Sequence, residues 1–110
     1  MLLSEQNEVA RKFFESCLDI LSTKGQDYCP DNEALKEVYR IAQETGSTPR
    51  KVLWVYFRKH VTALQTWVLS GAVASEPIEG RLQDLANYAA LFRVLIEIEK
   101  TLNNAPSRSC

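Results

Sequence analysis

The chain has 110 residues, with 13 Lys or Arg against 14 Asp or Glu and a formal net charge of −1. That length supports one domain around a single core, and the even charge balance excludes general polyanion binding, which leaves a strongly basic footprint. A hydrophobic fraction of 45% beside 25% charged residues places the chain among ordinary globular proteins rather than disordered ones.

Met1-Leu2-Leu3 is followed at once by Ser4-Glu5-Gln6-Asn7, a start too polar for a signal peptide. The first helix is predicted over about 5–24. Ser4 is its N-cap, Val9, Phe13, Cys17, Ile20 and Leu21 are its apolar stripe, and Gly25 is its stop. The second is predicted over 32–45, with Asp31 as N-cap, Leu35, Val38, Ile41 and Ala42 as the apolar positions, and Gly46 at the end.

The third opens on Ser47-Thr48-Pro49, a cap followed by a proline whose missing N–H is harmless in the first turn. It is predicted over 49–70, with Gly71 beyond it. Val52 to Phe57 has strand-like composition, but Phe57, Val61, Leu64 and Val68 continue at helical spacing, which favours the helix. The fourth is predicted over 76–102, capped near Ser75 and carrying Pro77 early. Asn103-Asn104-Ala105-Pro106 ends it, and 105–110 reads as a disordered tail.

The expected fold is therefore an all-α, four-helix bundle-like domain over 1–104. Helices three and four are apolar on more than one side. The third carries Val52 to Phe57 around its circumference. The fourth has Leu82, Leu85, Ala89, Phe92 and Ile96 on one face and Leu91, Leu95, Ile98 and Leu102 on another. Helices apolar all round are buried all round, and four helices cannot surround two of their own members. A homo-oligomer follows, most simply a dimer, with Trp54 or Trp67 near the contact. The longest apolar run, Val52 to Phe57, is far short of a membrane span. Cys17, Cys29 and Cys110 are scattered and odd in number, which fits a reducing cytoplasm better than a disulfide framework or a zinc site.

The polar string Asp84-Leu85-Ala86-Asn87-Tyr88 interrupts the apolar fourth helix. Asp84, Asn87 and Tyr88 share a helical face, and a carboxylate among leucines needs a partner. Between Glu44 and Glu76 there is no acidic residue, while Arg50, Lys51, Arg58, Lys59 and His60 fall in that window. His60 shares a stripe with Leu53, Phe57 and Leu64 and so faces inward, flanked by Lys59. A third polar group is Lys24-Gly25-Gln26-Asp27-Tyr28. These segments define one expected ligand site: Lys24, Asp27, Tyr28, Lys59, His60, Asp84, Asn87 and Tyr88. Lys24 and Lys59 would meet phosphate as point charges. Asp27, Asp84 and Asn87 would orient the rest, and Tyr28 or Tyr88 would stack. The plainer reading of Asp84 is an ion pair with Lys59 or His60 that fixes helix register. No catalytic residue and no metal ligand is assigned.

The succession Lys24-Gly25-Gln26-Asp27-Tyr28, Lys59-His60, Glu76-Pro77-Ile78-Glu79 and Asp84-Leu85-Ala86-Asn87-Tyr88 resembles small helical phage proteins of the nucleotide-modification-associated domain family, over roughly residues 10 to 100. The resemblance implies a phage or prophage origin, a place of action in the host cytoplasm, and a link to nucleotide metabolism. A weaker similarity is to the MazG-type nucleoside triphosphate pyrophosphatases, which need about four carboxylates from two helices to hold magnesium. Here Arg58, Lys59 and His60 stand where the first carboxylate pair belongs, and only Glu15 or Asp19, or a second subunit, could compensate. The expected function is binding or sequestration of a nucleotide or another phosphate-bearing small molecule, with no cofactor and without turnover. A non-enzymatic helical protein acting on a host partner is the competing reading. A pyrophosphatase with magnesium is the third.

Overall fold

In the computed structural model the described residues are 1–28, 35–72 and 77–104, with 24–28 and 104 described by their backbone alone. The expectations placed on Cys29, Asp31, Ser75, Glu76, the tail 105–110 and the side chains of Lys24, Asp27 and Tyr28 lie outside them. Four helices and no strand make up what is described: α1 (Leu3–Tyr28), α2 (Lys36–Thr45), α3 (Pro49–Ser70) and α4 (Ile78–Asn104).

Helix α3 has both ends where its punctuation puts them. The Thr48 side chain accepts the Lys51 backbone N–H at 3.2 Å, Pro49 occupies the first turn, and Gly71 turns left-handed at φ 73° to close the helix. Gly46 does the same for α2 at φ 66°. Gly25 does not act as a stop. The backbone of α1 runs through it to Tyr28, because a glycine ends a helix only by turning left-handed after the last turn. At the other end α1 begins at Leu3, one residue before the expected cap Ser4, and the Leu2 N–H is taken by the Glu5 carboxylate at 3.1 Å.

The start of α2 also departs from expectation. Lys36 is its first residue, and its N-cap is Leu35, which sits left-handed at φ 61° without a capping side chain. A leucine resists that conformation by about 1–2 kcal/mol. Burial holds it there, since Leu35 packs with Leu53 of α3, which is 0% exposed, and Leu95 of α4 in the core cluster. Val38 and Tyr39 of α2 and Leu91, Phe92 and Ile98 of α4 pack around these three.

The most extensive contact joins α3 to α4. Arg50 grips Glu99 through two nearly parallel bonds, Nε–Oε1 at 3.0 Å and Nη2–Oε2 at 2.7 Å. Phe57 meets Phe92 edge-on at 6.0 Å, and His60 meets Asp84 and Tyr88. Numbers rise on one helix as they fall on the other, so the pair is an antiparallel hairpin. The Arg50 guanidinium holds the Glu99 carboxyl below the usual carboxylate range, but the pair is solvated and fixes register more than stability. On this hairpin α1 packs against α4, and α2 against α3.

Every side chain from Met1 to Lys12 is exposed. The chain measures 60 × 31 × 24 Å with a radius of gyration of 17.0 Å, against about 13 Å for a compact domain of this length. No helix among the described residues is long and apolar enough to cross a membrane.

The strained cap yields a test. Leu35→Ala and Leu35→Gly both remove a core side chain and should each lose about 2–5 kcal/mol in urea denaturation. The glycine variant, free of the left-handed penalty, should be the more stable of the two by about 1 kcal/mol. The usual helix order, alanine above glycine, would show that Leu35 is not left-handed.

Candidate functional site

His60 lies on α3 at helical spacing from Leu53, Phe57 and Leu64, and is buried against α4. Arg81, Asp84 and Tyr88 come to it from one face of α4, at i, i+3 and i+7. Arg81 Nη1 lies 3.1 Å from His60 Nδ1. A guanidinium can only donate, so this contact requires a lone pair on Nδ1 and puts the imidazole proton on Nε2. Asp84 Oδ2 is 3.5 Å from the same Nδ1. Protonated imidazole would point its Nδ1–H at that carboxylate instead. The ring therefore sits between a donor and an acceptor.

Aromatic rings extend the group. Tyr88 stacks on His60 with centroids 5.4 Å apart, and Tyr56, one turn before His60, lies nearly parallel to Tyr88 at 6.1 Å. On the side toward α1, Gln83 donates to the Ser16 hydroxyl at 2.8 Å, and Ser16 in turn donates to the Phe13 carbonyl at 2.7 Å. Cys17, buried beside them, has its thiol pushed up. Burial is the main cause and the Asp84 charge adds to it, while the hydrogen bond with Ser16 acts the other way.

Asn87 stands apart from this web. It is 9% exposed, and among the described residues its carboxamide makes no hydrogen bond. Its nitrogen and oxygen are not fully buried, so the carboxamide keeps some access to water.

The structure thus brings His60, Asp84, Asn87 and Tyr88 to one region between α3 and α4. Lys59 is not among the side chains that meet there. It is exposed, since one residue's step from His60 turns it about 100° round the helix, and the cation at the cluster is Arg81. Arg81 was legible in principle: it precedes Asp84 by three and Tyr88 by seven, the same rule that joins Asp84 to Asn87. Ser16, Tyr56 and Gln83 carry no such signal, because their neighbours belong to other helices.

Among the described residues no three of His, Cys, Asp and Glu converge as a metal centre would place them. Glu15 is exposed and paired with Arg11, and Asp19 is exposed. A separate open depression between α2 and the start of α3 is lined by Lys36, Tyr39, Arg40, Ala42, Gln43, Ser47 and Pro49, away from the polar cluster. Comparison with protein-family models, with curated proteins and with solved structures finds no match for this chain.

Two outcomes follow from the cluster. Asn87→Leu, close in shape, removes an amide that makes no hydrogen bond among the described residues and should keep unliganded stability within about 1 kcal/mol in urea denaturation; a larger loss would reveal a partner for the amide. The raised Cys17 thiol stabilises the fold only while it keeps its proton in both states. Its contribution is present at neutral pH and is lost as pH rises through the folded value, because the unfolded chain ionises first. Cys17→Ala should flatten the alkaline limb of a stability–pH curve, and an unchanged slope would contradict the assignment.

Proposed function

We propose that the chain binds a small phosphate-bearing ligand at the α3–α4 polar cluster, and that the ligand is a nucleotide. The observation that carries this reading is the convergence of Arg81, Asp84 and Tyr88 on His60, near which the Asn87 carboxamide makes no hydrogen bond among the described residues. The cluster offers the groups a nucleotide uses: a guanidinium suited to phosphate oxygens, an imidazole, a carboxylate, and the Tyr88 and Tyr56 rings as stacking surfaces. The resemblance of the four ordered motifs to the nucleotide-modification-associated domain family supports the nucleotide in particular, and with it a phage origin, a cytoplasmic place of action, and Lys24, Asp27 and Tyr28 as further contacts. Binding or sequestration is the proposed activity, with the polar groups orienting the ligand rather than turning it over.

The reading includes self-association, most simply as a dimer. A second reading, a helical protein acting on a host partner, is favoured by one observation: Trp54, Val55, Val68 and Leu69 of α3 are exposed.

Thermal-shift screening against nucleoside mono-, di- and triphosphates, cyclic nucleotides and inorganic phosphate tests the first reading. A ligand at a hundred times its Kd stabilises the fold by about 2.7 kcal/mol, which raises Tm by roughly 10 °C in a domain of this size. Asn87→Leu should lose that shift while its unliganded Tm stays level. The absence of a shift with every compound would overturn the ligand reading and leave the interaction reading.

A further inference from the structure

The α3–α4 hairpin is covered unevenly, with α2 packed on α3 and α1 on α4. Val52, Leu53, His60, Asn87 and Leu95 are buried in it. Along α3 run Trp54, Phe57, Val61, Leu64 and Val68, spaced 3, 4, 3 and 4 residues apart, with Trp54 and Val68 exposed and the other three half-buried. Beside them α4 presents Leu82, Leu85, Ala89, Phe92 and Ile96, again at 3, 4, 3 and 4. The edge-on contact of Phe57 with Phe92 joins the two rows into one surface.

All ten positions are apolar, and none of the ten is buried. Trp54 is 52% exposed, Val68 66% and Ile96 46%. Alternation of three and four is the spacing that lets side chains of one helix enter the gaps of another along a continuous seam. Phe57 and Phe92 meet each other inside the hairpin and Phe92 packs on the core cluster, while Trp54, Val68, Leu82 and Ile96 stay exposed.

We infer that this face is where a second copy of the chain docks, hairpin against hairpin, so that α3 and α4 of both copies form one four-helix core. This rests on the self-association proposed above and names its surface. Two observations select a second copy over another partner. The face has no charge at any of its ten seam positions, so nothing in it selects a charged or peptide-like ligand, and it is complementary to itself about a two-fold axis. The area also fits: the chain exposes 8288 Å², about 2,000 Å² more than the roughly 6,200 Å² usual for a compact protein of 12.5 kDa. A standard interface takes about 800 Å² from each partner, which leaves ample surface for one. Trp54 lies in this contact. Trp67, on the stripe of His60 and Leu64, lies at its margin.

Light scattering of the whole chain at tens of micromolar should give twice the mass of one copy. Ala89→Arg and Ile96→Glu change residues that are exposed in the single copy, so each should give one copy's mass with helical circular dichroism retained. Footprinting of the unaltered chain needs no variant. Above its dissociation midpoint Trp54, Leu82 and Ile96 should lose at least half their reactivity toward hydroxyl radicals, while Phe14 and Leu18 of α1 keep theirs. A single-copy mass for the unaltered chain overturns both self-association and this face. A dimer that persists in Ala89→Arg and protects Phe14 and Leu18 overturns the face alone. Either result leaves the ligand reading to its own test.

Discussion

The antiparallel register of α3 on α4 is the constraint on which the rest of the molecule depends. Leu53 against Leu95 supplies its apolar anchor, and the Arg50–Glu99 fork and the His60–Asp84 contact fix it at two heights. A slip of one turn would carry the buried imidazole past its guanidinium and carboxylate and leave polar atoms facing leucines, at a cost of several kcal/mol. Hydrophobic contact alone tolerates such slips, because one leucine serves nearly as well as the next. The polar cluster is therefore useful to the fold whatever it binds.

Within the cluster the groups differ in what they do for the fold. His60 has a donor on one side and an acceptor on the other, and its neutral and protonated forms each have a partner. Asn87, three residues from Asp84, makes no hydrogen bond among the described residues. An amide without a bond inside the fold adds little to the hairpin. Leu35 makes the opposite case. Its left-handed backbone is strained, but the strain is outweighed by a leucine buried in the core, so no further role is needed to explain it.

Much of the architecture was legible in the sequence. The all-helical class follows from unbroken 3.6-residue periodicity, and both ends of α3 follow from Thr48-Pro49 and Gly71, because caps act through their own backbone and nearest neighbours. The start of α2 was not legible, since what decides it is a contact between Leu35 and residues 18 and 60 positions further on. Gly25 reads as a stop by composition, but composition does not set the sign of φ, and the backbone continues helical. In the site, His60, Asp84, Asn87 and Tyr88 were found by helical spacing, and Lys59 was admitted only by its nearness to His60 along the chain. Adjacent residues on a helix point about 100° apart, and that geometry exchanges Lys59 for Arg81.

By itself the sequence determined the helices, the presence of an inward polar group on α4, and the excess of apolar surface on α3 and α4, because each of these is set by residue type and local period. Only the tertiary structure decided how they are used. It packed α1 on α4 and α2 on α3, left Trp54, Val68, Leu82 and Ile96 exposed, and chose Arg81 as the cation beside His60. The reason is that periodicity defines which residues share a face, while only packing in three dimensions decides what that face meets.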